Sequence, residues 1–272
     1  MHRSSRGLGK LLAVMYLHGV RTWRYKYSFI NSSINTMLWI TIFLLGVIMF
    51  VPGKELPMVA PQVFWGITVW NLITYTVIYI SGWTTWFLVS MGLVEEHMLH
   101  GLGLPLLLAG RLVTVLAEST IAVPLVYFVL RGVAGPMRLV ENPWLLLYGL
   151  VTAEAMALGY ALVLATLALR LSIPGPMLDI TNFILFIVGG IAAPVAKLPA
   201  QLRVVALLTP YSHAAELVRY AATGTRPYLG LLTETLISGA LAIAMPLAAY
   251  AFYRFVEKHY LRRLGVRGVG RM

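Results

Sequence analysis

Six apolar segments, at about 30–51, 62–90, 106–130, 144–170, 177–194 and 229–254, limit what this chain can become. At about 1.5 Å of rise per residue, each is long enough as a helix to cross the ~27–30 Å hydrocarbon layer of a bilayer. Composition agrees. Of the 272 residues 59% are hydrophobic and 11% charged, against about 25% charged in an ordinary soluble domain. Mean hydropathy is +0.81. The expected fold class is an all-α polytopic membrane protein with six transmembrane helices.

A net charge of +11 would by itself suit a nucleic-acid partner, but its placement points to a membrane. Arg3, Arg6, Lys10, Arg21, Arg24 and Lys26 precede the bulk of the first segment, and Arg254, Lys258, Arg262, Arg263, Arg267 and Arg271 close the chain. Basic residues gather on the cytoplasmic side of membrane proteins. An even number of crossings puts both tails there, with Arg111 and Arg170, so that fourteen of the 21 Lys and Arg lie inside. The expectation is a multi-pass protein of the cell membrane with cytoplasmic termini and no nucleic-acid partner. The first short apolar stretch, Leu11 to Leu17, lacks a signal-peptide layout. The absence of cysteine excludes disulfides, thiolate metal sites and Cys nucleophiles.

Residues 1–29 read as an interfacial unit. Over 5–26, Leu8, Leu11, Leu12, Met15, Gly19 and Trp23 recur at helical spacing and Lys10, His18, Arg21 and Arg24 fall mostly elsewhere, the pattern of a basic amphipathic helix in the headgroup layer. Residues 30–256 form the membrane domain and 257–272 a basic tail. Within the domain, 195–228 predicts two helices too short to span. One follows Pro199 and runs to about Leu208. The other starts at Thr209-Pro210 and stops near Gly224. They read as an outer re-entrant hairpin carrying Arg203, Glu216 and Arg219, and leading into the sixth span.

Sites of chemistry are scarce. The Gly-Lys pair Gly9-Lys10 lacks the rest of a phosphate-binding loop, and neither HExxH nor a glycine-framed nucleophile turn occurs. The chain is expected to be no enzyme and to carry no cofactor. His97 and His100 share a helical face beside Glu95 and Glu96, but no second ligand group lies nearby, so no metal is expected. Glu118, Glu154 and Glu234 fall within or beside apolar spans. Such carboxylates are either functional or held between helices; the second reading suits Glu234, near the outer interface. A proton-coupled secondary transporter would use Glu118 and Glu154. Tyr75, Tyr79, Trp83 and Trp86, spaced 4, 4 and 3, form one stripe that suits a substrate path, helix packing or an interfacial belt.

Two local patterns complete the reading. Glu95-Glu96-His97-Met98-Leu99-His100, followed by Pro105, is similar to a Glu-rich turn, GTLE and proline; His97 and His100 replace the usual Gly and Glu. Pro194, Leu198-Pro199, Leu202, Pro210 and Leu217-Val218-Arg219 match a second pattern, placed before the last helix. With the helix layout, the chain resembles the membrane subunit of type-two ABC exporters over nearly its whole length. The resemblance implies a homodimer of permease chains with two ABC ATPase subunits that carry ATP and Mg²⁺. It also implies a substrate path (lipid, drug, peptide or glycan) lined partly by the second and fifth helices. The 92–105 turn, with Gly92, Gly101 and Gly103 permitting its reversals, would couple to the ATPase through residues 95–100, and Pro199, Pro210 and Arg219 would mark the outer hairpin.

Overall fold

A computed structural model describes residues 2–136, 139–169, 182–187, 189–191 and 193–261, without the side chains of residues 2–6, 83, 84, 86 and 95. Among the described residues the chain is helical, with no strand. The helices are α1 (His2–Arg24), α2 (Lys26–Ile48), α3 (Leu56–Ser90), α4 (Leu93–Leu99), α5 (Leu104–Ala134), α6 (Pro143–Ala168), α7 (Ala200–Leu208), α8 (Pro210–Thr223) and α9 (Leu231–Val256). Five of them, α2, α3, α5, α6 and α9, are long and apolar enough to cross a membrane. The expected fifth span, 177–194, lies partly outside the described residues; 182–187 is helical, and the chain turns at Gly189-Gly190 before reaching Pro194.

α3 is the central helix. In its most apolar window 72% of residues are buried inside the protein, against 22% for α2 and 11% for α9, which leave their apolar side chains on the outside. Lipid-facing helices need no polar face, so these spans carry no strong amphipathic stripe. Small residues set the closest approaches. A Cβ on Gly159 of α6 would stand 2.8 Å from the backbone nitrogen of Pro246 in α9, and one on Gly149 would stand 2.7 Å from Val218 of α8. In lipid, such close backbone contacts replace the hydrophobic effect as the source of helix association.

Contacts near the helix ends give the molecule two poles. At one, Lys10 Nζ of α1 donates to the Gly101 carbonyl at 2.9 Å, and the Tyr253 hydroxyl of α9 packs against Gly103. At the other, the backbone amides of Glu141 and Asn142 donate to Ala221 O at 2.9 and 2.8 Å, Trp65 Nε1 donates to Leu139 O at 2.7 Å, and Gln62 Nε2 donates to Thr225 Oγ1 at 3.1 Å. α1, α4 and the C-terminal end of α9 therefore share a pole, and the chain enters α3, α6 and α9 from the opposite one.

Two expectations change. The helix at 5–26 does not merely lie on a surface: Val14 is buried and fits over Gly110 of α5, where no side chain intervenes. The first spanning helix begins at Lys26, inside the 1–29 interfacial unit, after a break at Tyr25. The hairpin helices occur where expected, and α8 packs among the longer helices. Nearly every residue from Tyr211 to Ala222 is buried, because Ala214, Ala215, Ala221 and Ala222 admit it between α3, α6 and α9.

Candidate functional site: a polar cavity and the turn below it

α3 does not keep one helical period. From Val77 to Thr84 it widens into a π turn, a feature frequent at functional positions. The wider turn changes the angular step per residue, so the 4, 4 and 3 spacing from Tyr75 to Trp86 does not by itself put the four rings on one stripe. Tyr75 and Tyr79 do stay together: their rings stack at 4.3 Å, and Ser32 Oγ of α2 lies 3.0 and 3.1 Å from the two hydroxyls. The side chains of Trp83 and Trp86 are outside the described residues.

Beside this stack lies a cavity of about 270 Å³ between α1, α2, α3 and α5, lined by Arg21, Thr22, Ser28, Ser32, Tyr79 and Glu118 among others. A second, of about 440 Å³, opens toward α4, and the two share Arg21, Tyr79 and Arg111. Arg111 lies over the Tyr79 ring at 5.8 Å and Arg21 over Phe87 at 6.0 Å. Thr22 of α1 meets Thr114 of α5 at 3.3 Å. Burial, and then the charges of Arg111 and Arg21, push His18 down to about 4, so its ring is neutral near pH 7.

Glu118 is buried at the inner end of the smaller cavity, where Thr36 Oγ1 donates to it at 3.4 Å. Glu154 lies apart, between α3 and α6. Thr76 Oγ1 donates to its Oε1 at 2.7 Å, and its Oε2 is buried without a partner. The structure thus brings Tyr75, Tyr79 and Glu118 toward one cavity and leaves Glu154 outside that group.

The turn between α3 and α5 has the expected form. Gly92 (φ 67°) and Gly101 (φ 70°) bracket α4 in the left-handed conformation that favours glycine. Glu96, Leu99 and His100 are exposed, Leu99 at 87%. Met98 differs from its expected companion Leu99: it is half-buried against the protein's own core. His97 and His100 each place Nδ1 on a carbonyl of their own turn, Leu93 O at 2.6 Å and Glu96 O at 2.8 Å. Among the described residues no three His, Cys, Asp or Glu are placed to hold a metal ion.

The hairpin residues are structural. Pro199 precedes α7 and Pro210 opens α8. Arg219 donates to Glu216 Oε1 at 2.7 Å and to the carbonyls of Gly190 and Ile191. A pairing that the sequence reading missed joins His213 Nδ1 to Glu234 Oε2 at 2.6 Å, with both side chains buried. Glu234 is thus held between helices, the reading that suits it in the sequence.

No protein-family model matches the chain, and a search of curated proteins returns no match.

Proposed function

We propose that the chain is the membrane subunit of an ATP-driven exporter. Two permease chains work with two separate ATPase subunits, which bind ATP and Mg²⁺, to move a hydrophobic or amphipathic substrate out of the cytoplasm. The observation that carries the reading is α4. It is a seven-residue helix held between two glycine reversals, continuous with the central helix and with α5, and tied to α1 through Lys10. A subunit that pushes on α4 moves three elements around the polar cavity at once. The exposed Leu99, flanked by Glu96 and His100, gives such a subunit an apolar knob with polar neighbours. The chain itself performs no chemical step.

What supports a sixth crossing is parity. α6 ends at the pole of the tails, whereas Gly190 and Ile191 contact Arg219 near the opposite pole. Six crossings with the tails inside also place most of the basic residues in the cytoplasm.

The test is copurification. The full chain, isolated from its native membranes, is expected to bring an ATPase chain in equal amount, with ATP hydrolysis in the complex. Glu96→Lys combined with Leu99→Asp should reduce that recovery at least about tenfold, since losing a buried charged contact costs about 2–5 kcal/mol. Wild-type recovery and coupling in this variant would reject the reading. The partnerless Oε2 of Glu154 favours a second reading, a proton-coupled carrier. Transport driven by a pH gradient without ATP, and lost in Glu154→Gln, would establish it instead.

A further inference from the structure

Arg21 and Arg111 face one cavity, and among the described residues neither forms a hydrogen bond or an ion pair with a carboxylate. Arg111 Nε and His18 Nδ1 are both buried without a partner. A buried guanidinium nitrogen and a buried imidazole nitrogen left unpaired cost stability unless something absent from the bare chain meets them. No carboxylate lines the 440 Å³ cavity among the described residues; Glu118 belongs to the smaller one. Two guanidinium groups around one space repel each other, and an anion between them removes that repulsion. Arg presents several donors in a planar fork that matches a phosphate.

The rest of the lining narrows the anion. Leu17, Phe87, Leu88, Leu93 and Leu107 make one wall apolar. A free phosphate has no use for such a wall, whereas an acyl chain does. The cavity sits under α1, whose basic amphipathic pattern places it in the headgroup layer, where anionic lipids concentrate beside Lys and Arg. Its volume suits a headgroup and the first carbons attached to it.

We propose that the cavity between α1, α3, α4 and α5 binds the phosphate group of an anionic glycerophospholipid. Arg21 and Arg111 hold the phosphate, His18 Nδ1 completes its hydrogen bonding, and the acyl chains lie along Leu17 and Leu107. The site depends on this cavity alone and stands whether or not an ATPase partner exists.

The experiment uses the full chain purified in a neutral detergent. Binding of short-chain phosphatidylglycerol, short-chain phosphatidylcholine and inorganic phosphate is followed by calorimetry. Phosphatidylglycerol is expected to bind, and Arg21→Gln and Arg111→Gln each to weaken it about fivefold or more, the effect of about 1 kcal/mol per basic residue near a lipid headgroup. Arg21 is exposed, so its variant tests the site without disturbing the packing. Unchanged affinity in both variants overturns the proposal, as does phosphatidylcholine binding as tightly as phosphatidylglycerol. Inorganic phosphate binding as tightly as phosphatidylglycerol would show a free-anion site and overturn the lipid assignment. Loss of lipid binding with ATPase recovery intact would separate this site from the α4 contact.

Discussion

Arg219 illustrates what a single residue does in this fold. It is 1% exposed, bonded to Glu216, and its second amino group reaches two carbonyls of the 189–191 turn. Glu216 in turn accepts from the backbone amides of Val195 at 3.0 Å and Tyr228 at 3.1 Å. Four chain segments thus meet on one ion pair. Removing one partner of a buried pair leaves the other charge uncompensated, whereas replacing both with apolar groups removes the charges together. Arg219→Met is therefore expected to destabilise the protein by about 3–5 kcal/mol, and Glu216→Leu with Arg219→Met to recover much of that loss. Thermal unfolding in detergent reads both; a double variant less stable than Arg219→Met would show that the bonds from the Val195 and Tyr228 amides to Glu216, and not the charge pair, dominate. Arg219 was visible in the sequence as part of a pattern, but its partners on the 189–191 turn were not. His213 carried no signal at all: a lone histidine in an alanine-rich helix acquires meaning only when folding brings Glu234 against it.

Helices α6 and α9 show the same limit at the scale of elements. The lengths of both follow from hydropathy, and their ends from Asn142, which caps α6 by accepting from the Leu145 amide at 3.1 Å, and from Gly230 before α9. Which helix packs on which does not follow, because a span that is apolar all round gives no face to read. The close approach is at Gly159. It meets Met245 and Pro246 of α9 backbone to backbone, while Ser238 Oγ donates to Thr152 Oγ1 at 2.8 Å and Tyr148 donates to Thr235 O at 2.8 Å. Gly159→Leu should push α9 off α6 at a cost of about 1–3 kcal/mol, the usual effect of overpacking. A control at Gly46, which has nothing within 4 Å of its would-be Cβ, should stay near wild-type stability on substitution by alanine. Equal effects at the two positions would mean that Gly159 is not a packing site. α3 marks the opposite failure of pattern reading. The spacing predicts an α-helical period through Trp86, and the π turn at Val77–Thr84 departs from it where Tyr79 reaches the cavity.

For the whole molecule, orientation is the property on which the others depend, and the two poles make it testable with few sites. α1, α4 and the end of α9 share one pole, so a single side assignment fixes all three. The residues around Glu141, Ala221 and Thr225 share the other. The proposed orientation turns the pole of the tails to the cytoplasm: the tails are rich in Lys and Arg, and translocating them would oppose the charge rule that sets topology. The chain contains no cysteine, so single cysteines can be introduced without background. Cysteines at Leu99 and at Glu141 are both expected to react with a small thiol reagent, since both residues are exposed. In sealed vesicles of native orientation, a membrane-impermeant reagent added outside should label Glu141→Cys and leave Leu99→Cys unmodified until the membrane is opened. Labelling of Leu99→Cys from outside would invert the protein, remove α4 from any cytoplasmic ATPase and move the Arg21–Arg111 cavity to the outer leaflet. Labelling of both from outside would contradict the poles themselves, because Lys10 and Gly101 at one end and Asn142 and Ala221 at the other are separated by the full length of α3 and α5.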